Sequence, residues 1–305
     1  MFKLVVLTLG LFNLATAYAK NPNVHSQQFF MADQGEMTIS FTPSFSSYSD
    51  EARGKITNNL YKTKTSSQNN FIKLEKGLNE ISSLSLYTFI GDKTTAATTN
   101  DSTDEFKYSG MGDLTINYSS LIPRVDSNVI WGSNLILSLN DQQYATTIVP
   151  GNNSSGGHSV QPFFGYEHAI EGKTYGWRVS YHIFGERKSF LKNSKGVILD
   201  RSTTSGGNEL ELLAFAEIPL SKMLLGASLG YNFEGPQYTI STQESFENDQ
   251  RTWVKGSVYG NISINEDLMI LPTIRYTRLT SKNIDNKSVS FADNLEFFAG
   301  VGIKL

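Results

Sequence analysis

The sequence lacks several features that would place it in common protein classes. It contains no cysteine, which excludes disulfide bonds and thiolate metal sites. After the first twenty residues, no apolar run approaches the roughly 20 residues that a membrane-spanning helix needs. The net charge is −3 and the basic residues form no long run. No nucleic-acid partner is therefore expected, because phosphate binding needs a clustered positive surface.

The N-terminus carries the one long apolar stretch. Lys3 precedes apolar residues 4–14, and the small-x-small triplet Ala17-Tyr18-Ala19 follows them. This order is typical of a secretory signal peptide, which we predict over residues 1–19, with the mature chain outside the cytoplasm. The alternative is a buried N-terminal strand or helix. An exported chain without cysteine must be stabilised by something other than disulfide bonds.

Along the rest of the chain, apolar and polar residues alternate with period two in segments of about ten residues. We count about twelve such segments, joined alternately by short turns and by long polar loops. The long loops are predicted around residues 50–69, 92–109, 141–157, 188–206, 237–250 and 281–288. Short turns at one end and long loops at the other are typical of bacterial outer-membrane barrels. The prediction is an all-β fold, a transmembrane antiparallel up-and-down β-barrel over residues 36–305.

A secreted β-sandwich also alternates apolar and polar residues and is the alternative fold. The barrel is favoured by the export signal, by a nearly unbroken apolar face, and by aromatic residues near strand ends. Those aromatic residues are Tyr118, Trp131, Tyr175, Trp177, Tyr276 and Phe297. In hydrocarbon an unpaired N–H or C=O costs several kcal/mol, so the sheet has to close. We therefore expect the last strand to pair with the strand near Met37.

The predicted location is the bacterial outer membrane, with membrane lipid as a partner. The last strand has one wholly apolar face, made of Leu295, Phe297, Ala299, Val301, Ile303 and Leu305. This alternation also predicts recognition by the outer-membrane assembly machinery, although Leu305 stands where a terminal phenylalanine is more usual.

The polar face of the predicted strands would line the lumen. Its charged candidates are Lys73, Glu75, Asp113, Glu167, Arg178, Glu209, Glu211, Glu217, Lys255, Arg275 and Glu296. Both signs occur, which implies modest ion selectivity at best. Most of these charges are expected to pair across the lumen, because a buried unpaired charge is costly. We expect Arg178 to contact one of the three glutamates on its neighbouring strand.

Residues 20–35 precede the first predicted strand and contain the apolar run Phe29-Phe30-Met31. Two interpretations are open. The segment leads into the first strand, which we favour, or it tucks into the lumen as a plug. A plug would gate or close the pore.

No enzymatic activity, cofactor or metal is predicted. The neighbours His158 and Ser159 suggest a nucleophile and its base, but adjacent strand residues point to opposite faces. The sequence contains no Gly-x-Ser-x-Gly elbow and no His/Cys metal spacing.

Two stretches resemble an outer-membrane family associated with the MetA pathway of phenol degradation. Residues 73–92, KLEKGLNEISSLSLYTFIGD, are similar to its hairpin, with Asn79-Glu80 in place of the usual Thr-Asp turn. Residues 110–123, GMGDLTINYSSLIP, are similar to its Gly-Leu-Gly-Asp strand opening, with Met111 in place of leucine. The resemblance implies a passive channel for small, often aromatic or apolar, compounds.

The expected function is therefore passive diffusion of small solutes through an outer-membrane barrel. The alternative is a surface-exposed structural or adhesion barrel, with a plugged lumen and long extracellular loops that bind a partner.

Overall fold

The computed structural model describes Phe29 and residues 31–54, 60–99, 102–140, 143–146, 151–192, 197–221, 223–241, 245–248, 250–265, 267–279, 282–284 and 287–305. The predicted signal peptide, residues 1–19, lies outside these ranges, as does most of segment 20–35. No described helix is long and apolar enough to cross a membrane.

The described residues form twenty β-strand segments in one sheet. They are β1 (Met37–Gly54), β2 (Leu60–Asn79), β3 (Ser82–Thr99), β4 (Ser102–Met111), β5 (Leu114–Pro123), β6 (Ser127–Leu137), β7 (Gln143–Thr146), β8 (Gly151–Asn152), β9 (Ser159–Ile170), β10 (Lys173–Phe184), β11 (Arg187–Lys192), β12 (Ile198–Gly206), β13 (Glu209–Leu220), β14 (Met223–Glu234), β15 (Gln237–Ser241), β16 (Ser245–Asn248), β17 (Arg251–Ser263), β18 (Leu268–Leu279), β19 (Lys282–Ile284) and β20 (Lys287–Lys304).

Twelve barrel strands are built from these segments, because short breaks divide several of them: β1, β2, β3, β4–β5, β6, β9, β10–β11, β12–β13, β14–β15, β16–β17, β18–β19 and β20. Each barrel strand is antiparallel to the next, and β20 pairs with β1. In that seam Phe41 lies opposite Val301, and the Leu305 N–H donates to the Met37 carbonyl at 2.8 Å. The predicted closed, antiparallel barrel of about twelve strands is confirmed.

The distribution of apolar residues is the reverse of that in a soluble protein. Large apolar side chains stand exposed along the outer face, with Leu229 at 63% and Val258 at 56%. Polar Asn128 and Glu167, in contrast, are fully buried on the inner face at 0%. Soluble monomers rarely expose so extended an apolar surface, whereas a barrel surrounded by lipid requires one. The outer face is the lipid-facing surface.

The regions predicted as long loops are largely strand in the structure. On the outer face of β1 the apolar residues end at Phe45, yet the strand continues to Gly54. Hydroxyl side chains hold these extensions together. Ser46 Oγ lies 2.6 Å from Ser67 Oγ, and Thr65 Oγ1 lies 3.0 Å from Thr95 Oγ1. Serine and threonine suit a ladder that is wet on both faces, so the hairpins extend beyond the apolar band.

The short strands β7 and β8 continue the barrel wall at the long-loop end, where β6 and β9 do not reach. β6 and β9 are shorter than their neighbours at the long-loop end. β7 pairs with β11 in parallel and with β4 in antiparallel orientation, while β8 pairs with β4 in parallel. This connection therefore joins the upper parts of β4 and β11.

Candidate functional site in the barrel lumen

The barrel encloses a cavity of about 580 Å³, which we call the lumen cavity. It is lined by Phe29 and by inward-facing side chains of β1, β2, β3, β5, β6, β9, β10, β18 and β20. A side cavity of about 190 Å³ shares Arg178 and Arg275 with it and is completed by Glu211, Lys255 and their neighbours. The lumen cavity has the size of a small-molecule site, for which 300–1,000 Å³ is roughly typical.

The floor of the lumen cavity is apolar and lies toward the short-turn end. The ring of Phe29 meets that of Phe215 edge-on, with centroids 5.5 Å apart. Phe29 also belongs to a buried cluster with Leu121 and Ile130, which flank the turn between β5 and β6. A Cβ at Gly165 would lie 2.3 Å from the Phe29 ring, so glycine at this position makes room for the ring.

Residues 31–36 run along the inner wall before the chain enters β1. The Ala32 N–H donates to Glu75 Oε1 at 3.2 Å, and the Gly35 N–H donates to the Gly77 carbonyl at 3.2 Å. A Cβ at Gly77 would lie 1.9 Å from the Asp33 carbonyl oxygen. The described part of segment 20–35 thus places Phe29 inside the lumen and then leads to β1.

Aromatic rings form one wall of the lumen cavity. The rings of Phe71 and Phe298 lie with their centroids 6.2 Å apart and their planes tilted by 47°. The guanidinium carbon of Arg275 lies 5.2 Å from the centre of the Phe298 ring, within the range of a cation–π contact. Tyr87 on β3 adds a further ring to this wall, and Phe163 lines the cavity from the other side, on β9, two positions from Gln161. This wall can bind the apolar part of a solute at the rings and a charged part at the Arg275 guanidinium.

Amide and hydroxyl side chains form a hydrogen-bonded chain across the opposite wall. Asn117 Nδ2 donates to Asn134 Oδ1 at 2.7 Å, and Asn134 Nδ2 donates to Gln161 Oε1 at 2.9 Å. Gln161 Nε2 donates to Ser180 Oγ at 3.2 Å, and Ser180 in turn donates to Glu211 Oε2 at 3.1 Å. Because each side chain donates a hydrogen bond to the next, the chain holds these polar groups in fixed orientations.

Charged pairs complete the lumen. Arg178 Nη2 lies 3.0 Å from Glu211 Oε2, and Lys255 pairs with the other oxygen of the same carboxylate. Arg275 Nη1 lies 3.4 Å from Glu296 Oε2. Of the three glutamates considered for Arg178, the structure brings Glu211 into contact with it.

The structure brings six of the eleven predicted lumen residues together. Lys73, Arg178, Arg275 and Glu296 line the lumen cavity, and Glu211 and Lys255 line the side cavity.

The other five are placed elsewhere on the inner face. Glu75 contacts Lys73 at 2.6 Å beneath the cavity, and Glu209 accepts a hydrogen bond from Asn232. The rest lie as follows: Glu167 accepts from Asn128 Nδ2 at 2.8 Å, Glu217 accepts from Tyr259 Oη at 2.9 Å, and Asp113 accepts from Ser154 Oγ at 2.8 Å and from the Ser155 N–H. Asp113 therefore anchors the connection between β6 and β9, far from the cavity lining.

The uncharged part of the site is not among the lumen residues predicted from the sequence. Phe71 shares a face with Lys73, and Phe298 shares one with Glu296, so the alternation alone places both rings inside. The amides Asn117, Asn134 and Gln161 could have been found in the same way. Their hydrogen-bonded chain could not, because it depends on the register between strands.

The histidines do not form the pair considered from the sequence. His158 Nδ1 accepts a hydrogen bond from the Ser138 N–H at 3.0 Å. Ser159 lies instead beside His182, with Oγ 2.8 Å from Nε2. Within the described ranges, no group of three or more His, Cys, Asp or Glu side chains is placed to hold a metal ion.

No family model matches the sequence, and no curated protein matches it. Among solved structures, the fold is similar to the COG4313 outer membrane channel from Pseudomonas putida F1. That match has a TM-score of 0.58 and 14% identity, and it covers 91% of this chain and 99% of that one. The chain is an outer-membrane β-barrel. This barrel fold is what the resemblance to the phenol-degradation family implied.

Weaker likenesses are also found for this outer-membrane barrel. One is the TodX deltaS2S3 monoaromatic hydrocarbon channel mutant, at TM-score 0.49 and 9% identity over 90% of this chain and 91% of that one. Another is a Pseudomonas aeruginosa FadL homologue, at TM-score 0.46 and 7% identity over 88% and 90%. Scores below 0.5 do not establish a shared fold.

Proposed function

We propose that this outer-membrane barrel is a passive channel through which small solutes diffuse down their gradients. The observation that carries the proposal is the lumen cavity of about 580 Å³, enclosed by the barrel and lined by charged, amide and aromatic side chains. A barrel whose only task is structural needs no such lining. The similar Pseudomonas putida protein is itself named a channel.

The test is conductance in a planar lipid bilayer. The purified full chain is expected to give discrete current steps, and a heat-denatured sample serves as the control. Liposome swelling with a panel of sugars, amino acids and aromatic compounds then ranks the solutes. A silent bilayer together with no swelling for any solute contradicts the proposal.

The second candidate is a surface-exposed structural or adhesion barrel with a plugged lumen. The buried cluster around Phe29 supports it, since these side chains fill the lumen below the cavity. The polar hairpins beyond the apolar band offer a surface for a partner. This hypothesis predicts no current steps in the planar bilayer, and adhesion through these hairpins by cells that display the protein.

We also propose that the outer-membrane assembly machinery reads β20. Its support is the apolar outer face of that strand, on which Phe297 and Val301 are exposed. Val301→Asp is expected to lower the membrane-inserted fraction in cells, while Thr98→Asp, far from that face, is expected to leave it unchanged. Equal insertion of both variants contradicts this proposal.

A further inference from the structure

In two of the ion-paired groups of the lumen, the cation faces the cavity and the carboxylate lies behind it. The Lys73 side chain is 37% exposed and Glu75 only 4%. Arg178 and Lys255 are 28% and 25% exposed, against 7% for the Glu211 that they share. These two groups therefore present their positive ends to a solute, whereas Glu296, the partner of Arg275, itself lines the lumen cavity.

The residues that line the two cavities carry an excess of positive charge. They include four cations, Lys73, Arg178, Lys255 and Arg275, and two carboxylates, Glu211 and Glu296. Glu75 pairs with Lys73 from beneath the cavity, so these seven groups together carry a net charge of +1. The whole chain carries a net charge of −3, so the excess is local to this part of the lumen. A local excess of positive charge between low-dielectric walls raises the concentration of anions there. The solute that fits is an anion.

The two arginines have donors that remain available to an anion. Arg275 approaches Glu296 through one guanidinium nitrogen, at 3.4 Å, and its side chain is 44% exposed. Arg178 reaches Glu211 through Nη2 at 3.0 Å, and its side chain is 28% exposed. Since a guanidinium carries five N–H donors in a planar fork, it can bind a carboxylate through two parallel hydrogen bonds.

The rings beside these arginines define the rest of the solute. Phe298 lies under Arg275, and Phe71 and Phe163 line the same cavity. An anion without an apolar part would leave these rings in contact with water. An apolar molecule without charge would make no use of the exposed guanidinium of Arg275. The site matches a molecule that has both parts.

We infer that the lumen cavity binds small aromatic carboxylates, with the carboxylate at Arg178 and Arg275 and the ring among Phe71, Phe163 and Phe298. As a statement about transport, this rests on the proposed channel function and names its substrate class. Binding itself is measurable whether or not the barrel conducts.

The first experiment is isothermal titration calorimetry of the full chain in detergent. Benzoate is the probe, and acetate, benzyl alcohol and benzylammonium are the comparisons. Benzoate is expected to bind about tenfold or more tightly than acetate or benzyl alcohol, because only benzoate uses both the rings and the charged donors. Equal affinity for benzoate and benzyl alcohol, or no benzoate binding, overturns the inference.

Variants locate the site. Arg275→Gln is expected to weaken benzoate binding about tenfold or more while leaving benzyl alcohol binding unchanged. Arg278→Gln is the matched control, because Arg278 lies on the outer face of the same strand, three positions along. Phe298→Leu supplies a second variant, in which benzoate binding falls and acetate binding does not. Benzoate binding that none of these substitutions changes overturns the inference.

Bilayer recordings separate this inference from the channel proposal. If the barrel binds benzoate but carries no current, the channel proposal is contradicted and the binding site stands. If the barrel conducts but does not bind benzoate, the channel proposal stands and the binding site is overturned. If both hold, the reversal potential in a KCl gradient is expected to show anion preference, and Arg275→Gln is expected to reduce it.

Discussion

At the scale of single residues, Phe29 occupies the floor of the lumen cavity. Its ring packs with Phe215, Leu121 and Ile130 on the short-turn side of that cavity. Phe29→Ala is expected to raise single-channel conductance, because it removes the ring from the floor. Loss of its packing is expected to lower the free energy of unfolding by up to about 3 kcal/mol.

Phe45→Ala is the control for this prediction, since Phe45 stands 52% exposed on the outer face. It should leave the conductance unchanged. If Phe29→Ala conducts like the unsubstituted barrel, Phe29 does not form the constriction.

Glycines on the inner face make room for rings of the neighbouring strand. A Cβ at Gly176 would lie 2.3 Å from the Phe215 ring and 2.5 Å from the Tyr166 carbonyl oxygen. Gly176→Ala is expected to lower the free energy of unfolding by about 1–3 kcal/mol through overpacking. Guanidinium unfolding followed by tryptophan fluorescence measures this. Gly256→Ala is the control, because its nearest atom, the Ser228 carbonyl oxygen, would be 3.9 Å away; equal stability of the two variants would refute the explanation.

At the scale of elements, the strands could be predicted from the sequence because their period of two is continuous. The same period that places Lys73, Arg178 and Arg275 inside also places Ile39 and Leu229 outside. The positions at which the strands end are harder to predict from the sequence than the strands themselves. Serine and threonine are typical of loops as well as of solvated strands, so their abundance predicts loops where the structure has long hairpins.

Contacts between distant segments were beyond the sequence pattern. Asp113 holds Ser154, which lies 41 residues away. Phe29 belongs to no alternating segment, and its position depends on space left at Gly165. Such contacts are set by register and packing, and a period of two carries no information about either.

The extended hairpin of β1 and β2 is expected to be dispensable for insertion. Its upper part lies beyond Phe45, where the apolar outer face ends. Replacing residues 49–64 by Asn-Gly, which suits a two-residue hairpin turn, should leave a folded barrel. The measurement is the shift in gel mobility on heating, together with conductance. A replacement that abolishes folding would show that this hairpin stabilises the barrel.

At the scale of the whole molecule, stability depends on an apolar outer surface that is favourable in lipid and unfavourable in water. The barrel has few buried apolar side chains in its described part, and its apolar area is mostly outside. Closure by β1 and β20 satisfies the backbone at both edges, and the ion pairs and amide chain satisfy the inner face. A soluble domain removes its apolar side chains from water in a core, whereas this fold depends on surrounding lipid to do so.

This dependence predicts a large effect of one charge on the outer face. Leu229 lies near the middle of β14 and is 63% exposed toward lipid. Leu229→Arg is expected to lower the free energy of unfolding in lipid vesicles by about 2–4 kcal/mol, the cost of arginine at the bilayer midplane. Ser47→Arg, on the outer face of β1 at the edge of the apolar band, should cost at most about 1 kcal/mol. If both substitutions cost the same, the band between them is not in hydrocarbon, and the assignment of this face to lipid is wrong.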